Sequence, residues 1–186
     1  MSCLLKSGLL WCGAAIAICS AGAAAQKTDA QGIEKIAAYA GTWAVDIQHV
    51  ETPYSKAGHG HNTLRNDCWR SGPYFACNQY VDGESKALLV FTYDAKADQY
   101  TSYPVPADGS EAGKGALLIH GNTWTYPWET KDGGKTTYFR VVNTWVKPDQ
   151  IEFRQEFSVD NVKWSEMAHG LERRTAAGKT QENRPQ

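Results

Sequence analysis

Alternation of apolar and polar side chains at every second position is the feature that most constrains this chain of 186 residues. In residues 149–159, for example, Ile151 and Phe153 fall on one face, whereas Glu152 and Arg154 fall on the other. A period of two is typical of a strand that buries one face in an antiparallel sheet. The alternation therefore favours an all-β fold over a helical one.

Turn-forming residues separate the alternating runs, as at Gly72-Pro73, Asp82-Gly83 and Gly121-Asn122. The connections are too short for parallel crossovers, so each strand is expected to pair with the next. A meander of about ten strands would leave two open edges, which closure into a barrel removes. We therefore predict an antiparallel up-and-down barrel with strands at 43–51, 61–70, 73–82, 86–94, 98–105, 115–120, 122–130, 135–147, 149–159 and 163–173.

One segment near the N-terminus has helical rather than strand periodicity. In residues 29–39, Ile33, Ile36 and Ala37 share a face at i, i+3, i+4 spacing, and Asp29 can cap the start. A helix this short needs something to pack against. We predict that it covers one end of the barrel.

Residues 1–25 read as a secretory signal peptide. A positive charge at Lys6 precedes an apolar stretch over 9–18, and Ala23-Ala24-Ala25 fits the cleavage pattern. A lipid anchor at Cys19 is not predicted, because an isoleucine precedes it where a very small residue is required. We predict a secreted or periplasmic protein.

Composition bounds the partners and the domain organisation. Nineteen Lys and Arg face twenty Asp and Glu, so no basic excess favours nucleic acid. Outside the N-terminus no apolar run is long enough to predict a membrane span. We expect one β-barrel domain over 26–174, a monomer, and a polar tail over 175–186 that is disordered.

Two cysteines remain after the predicted cleavage, Cys68 and Cys77. An even pair in an exported protein favours a disulfide. The two positions are symmetric about Gly72-Pro73 and can face each other in a hairpin, although a pair of buried thiols is the alternative.

The segment Tyr39-Ala40-Gly41-Thr42-Trp43 resembles the opening of lipocalins and other calycins, in which a short helix leads into Gly-x-Trp. The resemblance implies that Trp43 closes one end of the barrel and that a basic residue near the end of the last strand, Arg173 or Arg174, packs over it. A guanidinium on an indole face is favourable by ~0.5–2 kcal/mol.

Two further segments are similar to a narrower group, the exported bacterial lipocalin-like domains of unknown function. They are Phe91-Thr92-Tyr93-Asp94 and the turn from Ser158 to Trp164, where Asn161 stands in place of a glycine. Ten strands point toward the fatty-acid-binding and nitrobindin side of the calycins. The resemblance implies no catalytic residues.

Aromatic residues supply the first candidate binding surface. Trp124, Tyr126 and Trp128 share one face of a strand, and inside a barrel they could line an apolar pocket. The alternative is a filled core, since small barrels pack their interiors with side chains.

Basic side chains supply the second set of candidates. His49 follows the apolar face of the first strand and could bind a ligand carboxylate, a metal or a haem iron. Arg140 could anchor an acid head group inside the barrel, and Tyr138, on the same face, is a further candidate ligand contact. Nitrobindin-type barrels bind haem through a histidine near the end of the chain. This resemblance implies that His169 is the candidate haem ligand.

His59 and His61 could form a three-histidine zinc site with His49. Glycines at 58 and 60 favour a solvated loop instead, so we predict no metal site and no bound cofactor.

Catalytic signatures such as Gly-x-Ser-x-Gly and His-Glu-x-x-His do not occur in the sequence. We therefore predict an exported barrel that binds a small, largely apolar ligand and lean away from an enzyme. One alternative is a haem-binding or isomerase-like barrel enzyme. The other is a filled barrel that acts as an inhibitor or envelope interaction module.

Overall fold

The structure is a computed structural model, and it describes residues 28–178 and 181–182. The predicted signal peptide and Cys19 lie outside the described residues.

Strands make up most of the described chain. A short helix α1 (Asp29–Ile33) continues into a 3-10 helix (Glu34–Tyr39). The strands are β1 (Gly41–His49), β2 (Gly58–Ser71), β3 (Tyr74–Val81), β4 (Glu84–Asp94), β5 (Gln99–Pro106), β6 (Gly115–His120), β7 (Thr123–Asp132), β8 (Lys135–Lys147), β9 (Gln150–Ser158), β10 (Ser165–Ala177) and β11 (Gln181–Glu182).

The strands from β1 to β10 form a closed antiparallel barrel, as the alternation predicted. Each strand pairs with the next along the chain, and β1 pairs with both β2 and β10. The two-residue β11 lies parallel to β2 at Trp69 and Arg70. Asn161, in the turn between β9 and β10, has a φ of 57°, a conformation that asparagine adopts more readily than most residues.

The helical segment covers one end of the barrel, which we name the closed end. Ile33 and Ile36 are fully buried there. Thr28, rather than the predicted Asp29, caps α1: its hydroxyl accepts from the Gln31 N–H. The Asp29 carboxylate instead accepts from the Ala95 N–H at 2.7 Å, which ties the helix to the turn between β4 and β5.

Trp43 lies at the centre of the closed end and is fully buried. The Arg174 guanidinium lies 4.2 Å from the Trp43 ring centroid. It also donates to the carbonyl oxygens of Ala38, at 2.6 Å, and Ala40. Arg173, the other basic residue considered for this position, faces outward opposite Ala44 and is exposed. Strand alternation allows only one of two consecutive residues to reach the indole.

The last strand extends further than predicted. Residues 175–177, placed in a disordered tail by their polarity, belong to β10. Ala177 pairs with Gly41 and Ala176 with Thr42, so the first residues of β1 find backbone partners there.

Cys68 and Cys77 occupy directly opposite positions on β2 and β3. Their sulfur atoms lie 2.13 Å apart, at disulfide bonding distance, and both side chains are buried. Among the described residues, no helix has the length and apolarity to cross a membrane.

Candidate ligand-binding site

The inward faces of the strands surround a cavity of about 620 Å³. Its wall is mostly apolar, because the alternation of each strand directs one apolar set inward. Apolar lining residues include Val45, Ile47, Leu64, Val81, Leu89, Phe91, Val141 and Phe153. The volume falls in the range of small-molecule pockets, ~300–1,000 Å³.

A buried carboxyl group, that of Glu172, points into this cavity. Glu172 lies opposite Val45 on β1 and Ile151 on β9, which puts it on the inward face of β10. It is 8% exposed, and burial raises the pKa of its carboxyl to about 7. Its Oε2 atom has no hydrogen-bond partner among the described residues. This carboxyl can therefore be neutral or ionised close to neutral pH.

Neutral polar groups accompany Glu172 in the cavity wall. The Asn143 side-chain N–H donates to the Tyr39 hydroxyl, whereas no described residue pairs with the Asn143 Oδ1 atom. The Tyr39 and Tyr126 rings meet edge to face with centroids 6.4 Å apart, and burial raises the pKa of both phenols. Both tyrosines therefore stay protonated. We name Tyr39, Tyr126, Asn143 and Glu172 the polar cluster.

The cavity has a buried acid but no buried base among its described lining residues. Among the described residues that line it, Glu172 is the one acid and Lys114 the one base. Lys114 is exposed and immediately precedes β6. An anionic group placed beside Glu172 would therefore lack a buried cation to neutralise it.

The three aromatic residues of β7 all face inward, at different depths. Trp124 is 2% exposed and packs against Tyr39 in the closed end, with ring centroids 5.3 Å apart. Tyr126 and Trp128 line the cavity. Trp128 is 47% exposed and stacks on Phe139 at 5.4 Å, so it lies toward the other end of the barrel.

Arg140 and Tyr138 do not enter the barrel, contrary to prediction. They alternate on β8 with Phe139 and Val141, whose partners across β7 and β9 are inward residues, so both face outward. The Arg140 Nε lies 2.5 Å from a Glu156 carboxylate oxygen, and its guanidinium lies 3.9 Å from the Trp164 ring centroid. The prediction was wrong because a one-residue error in face assignment turns every side chain of a strand over.

The two histidines considered as interior ligands lie elsewhere. His169 is on the outer face of β10, opposite Gln48, and its Nδ1 lies 2.7 Å from a Glu166 carboxylate oxygen. His49 is half-buried at the last position of β1 and is outside the cavity lining. No histidine occurs among the described lining residues, so the interior offers no imidazole to a haem iron.

A discontinuity in the barrel wall lies beside the cavity. The described β6 pairs with β5 only over residues 115–117 and with β7 only over 118–120. Pro127, which has no N–H to donate, lies two residues after Thr125, the last β7 residue that pairs with β6. Residues 107–114 connect β5 to β6 here, and the Gly113 N–H donates to the Pro104 carbonyl at 2.8 Å. Pro104, Gly113 and Pro127 all line the cavity.

Glu172 and Asn143 were not among the residues selected from the sequence. The sequence signal that could have identified them is a polar residue on the face of an alternating strand that is otherwise directed inward. Comparison with known proteins adds no assignment: no protein-family model matches the chain, and no curated protein matches it.

Proposed function

We propose that this chain is an exported, lipocalin-like barrel that binds a small and largely apolar ligand in its interior. The observation that carries the proposal is the cavity of about 620 Å³, with an apolar wall and a buried carboxyl group whose Oε2 has no partner among the described residues. Such a combination, an apolar container with a few polar groups that orient the ligand, is typical of small-molecule sites.

The polar cluster restricts the chemistry of the ligand. Asn143 Oδ1 has no described partner and accepts hydrogen bonds, as does Glu172 Oε2 once the carboxyl is ionised, so they fit a ligand that donates hydrogen bonds. Above about pH 7, where Glu172 is ionised, a ligand carboxylate at the same place would put two like charges in a buried site, which costs several kcal/mol. The ligand is therefore an apolar alcohol, amide or amine rather than a fatty acid anion.

Neither alternative function has comparable support. A filled barrel would have no interior cavity, and this barrel has one. A haem-binding barrel would need a histidine in the cavity, whereas His169 faces outward and His49 lies outside the described cavity lining. The Cys68–Cys77 pair favours an oxidising compartment and agrees with export.

A fluorescent probe tests whether the interior binds apolar molecules. N-phenyl-1-naphthylamine should gain fluorescence on titration with the purified protein. Leu89→Trp, which fills the cavity, should abolish the gain. Leu88→Trp is the matched control, because Leu88 pairs with Asn78 and Val105 on the outer face of the same strand. Equal binding by the two variants would place the probe outside the barrel and contradict the proposal.

Competition with three dodecyl compounds tests the polar cluster. Above about pH 7, where Glu172 is ionised, dodecanol and dodecylamine should displace the probe at about tenfold lower concentration than dodecanoate, since each 1.4 kcal/mol of discrimination is a factor of ten. In Glu172→Gln the disadvantage of dodecanoate should shrink. Preference of the wild-type protein for dodecanoate would overturn the role of Glu172 while leaving cavity binding intact. Native mass spectrometry of the protein purified from its source would then identify a retained ligand.

A further inference from the structure

Three metal-ligating side chains meet on the outer wall of the barrel, on the opposite face of the sheet from the cavity. Asp46 lies on β1 directly opposite His61 on β2, and His59 is two residues before His61 on the same face. β2 begins at Gly58, so the two histidines lie in a paired strand and not in the solvated loop that the neighbouring glycines suggested. The antiparallel ladder therefore holds all three backbone positions in register.

The three donor atoms lie close together. Asp46 Oδ1 lies 2.7 Å from His59 Nε2, and Asp46 Oδ2 lies 3.8 Å from His61 Nδ1. The two imidazole rings are perpendicular, with centroids 4.4 Å apart. One donor atom from each residue fits within a distance of 4.8 Å of the others. A tetrahedral Zn²⁺ with ligand bonds of ~2.0–2.2 Å separates its donors by roughly 3.3–3.5 Å, so modest side-chain rotations would suffice.

We propose that Asp46, His59 and His61 form a binding site for a divalent transition-metal ion of the Zn²⁺ class. Two imidazole nitrogens and one carboxylate oxygen are the ligand set that Zn²⁺ accepts, whereas Mg²⁺ and Ca²⁺ take oxygen ligands. This site is independent of the interior cavity and of the function proposed for it. His49, the third member of the three-histidine alternative, is replaced here by Asp46.

Three protein ligands leave a tetrahedral metal with one open position. The side chains are about half exposed, with 48%, 70% and 49% of their surface accessible in His59, His61 and Asp46. Asp46 and His59 also line a groove of about 700 Å³ on the outer wall, together with Glu166 and His169. The open position is therefore accessible to solvent and to a small ligand in the groove, so the ion is exchangeable.

Calorimetric titration of the purified, metal-free protein with Zn²⁺ tests the assignment. We expect one equivalent to bind, and His59→Ala, His61→Ala and Asp46→Asn each to weaken binding at least tenfold. His120→Ala is the matched control, because His120 is an exposed histidine at the end of another strand, β6, and its loss should change the affinity less than twofold.

Thermal unfolding gives a second readout that does not depend on the heat of binding. Zn²⁺ should raise the unfolding temperature of the wild-type protein and of His120→Ala, but not of the three site variants. Because these side chains are at the surface, the variants should fold without metal. Zn²⁺ affinity that is the same in the wild-type protein and in His59→Ala or His61→Ala would overturn the proposal, as would an equal loss in His120→Ala.

Discussion

Glu172 lies directly across the β1–β10 ladder from Val45, so a carboxyl group and an isopropyl group share the wall of one cavity. The valine belongs to the apolar lining that the alternation of β1 dictates. The glutamate is an exception to that pattern, and its surroundings disfavour the charged form. The pKa of about 7 follows from this burial, and it ties both stability and ligand choice to pH in the neutral range.

Stability should decrease as the pH rises from ~4.3 to about 7. The unfolded chain ionises Glu172 near its ordinary pKa of ~4.3, whereas the folded protein keeps its proton until about pH 7. Between these values the folded state holds the extra proton, so the free energy of unfolding falls with rising pH and levels off above about 7. The loss should be on the order of 3 kcal/mol.

Urea unfolding at several pH values between 4 and 9 measures this effect on the wild-type protein and on Glu172→Gln. The amide cannot ionise, so the variant should lack this decrease and should exceed the wild-type stability at pH 8. Glu152→Gln, on the exposed outer face of β9, is the control and should keep the wild-type pH dependence. An unchanged pH dependence in Glu172→Gln would assign the effect to another group.

Arg174 should contribute measurably to stability, and its neighbour Arg173 should not. Arg174→Ala removes the contact with Trp43 and three hydrogen bonds to backbone carbonyls, so we expect a loss of about 1–3 kcal/mol. Arg173→Ala should change stability by less than about 0.5 kcal/mol, because that side chain is exposed. Equal losses measured by denaturant unfolding would mean that the guanidinium at Trp43 has no specific role.

The strands could be predicted more fully than the directions of their side chains. The boundaries of β8 agree with the predicted 135–147, because turn residues at both ends and a period of two define a strand locally. The face of Arg140 could not be decided locally, because Tyr138 and Val142 make its own face as apolar as the other one. Pairing with β7 and β9 decides it, and that information is non-local.

The last strand shows the same limit more sharply. In the sequence, Met167, His169 and Leu171 share one face of an alternating strand. In the structure His169 faces outward, and a register shift lies between Glu166 and Ala168. Bulges of this kind depend on the partner strand and leave little local signal. Glu172 was missed because an acid in an alternating strand is expected to face solvent, and the pairing with β1 and β9 is what places it toward the cavity.

Removal of the Cys68–Cys77 pair should destabilise the barrel. In the chain-entropy description a loop of this length is worth roughly 2.5–3 kcal/mol, and the alanine variants also lose buried sulfur atoms. Unfolding of Cys68→Ala/Cys77→Ala should therefore need less denaturant than unfolding of the wild-type protein. Dithiothreitol should lower the wild-type midpoint toward that of the double variant and leave the double variant unchanged. A wild-type midpoint unaffected by full reduction would show that the cross-link contributes nothing.

A side chain at Gly170 should destabilise the fold, because atoms of strands β1 and β9 occupy the space that its Cβ atom would take. A Cβ atom at this position would lie 2.2 Å from the Asp46 carbonyl oxygen and 2.6 Å from the Phe153 ring. The ring could rotate away, but the carbonyl belongs to the paired backbone of β1 and could retreat only if the ladder opened. Gly170→Ala should therefore lower the free energy of unfolding by about 1–3 kcal/mol. Gly58→Ala is the matched control, because no atom lies within 4 Å of its Cβ position, and it should be nearly neutral. Equal stability of Gly170→Ala and Gly58→Ala in denaturant unfolding would contradict the claim that β1 and β10 approach too closely at Gly170 to admit a Cβ atom.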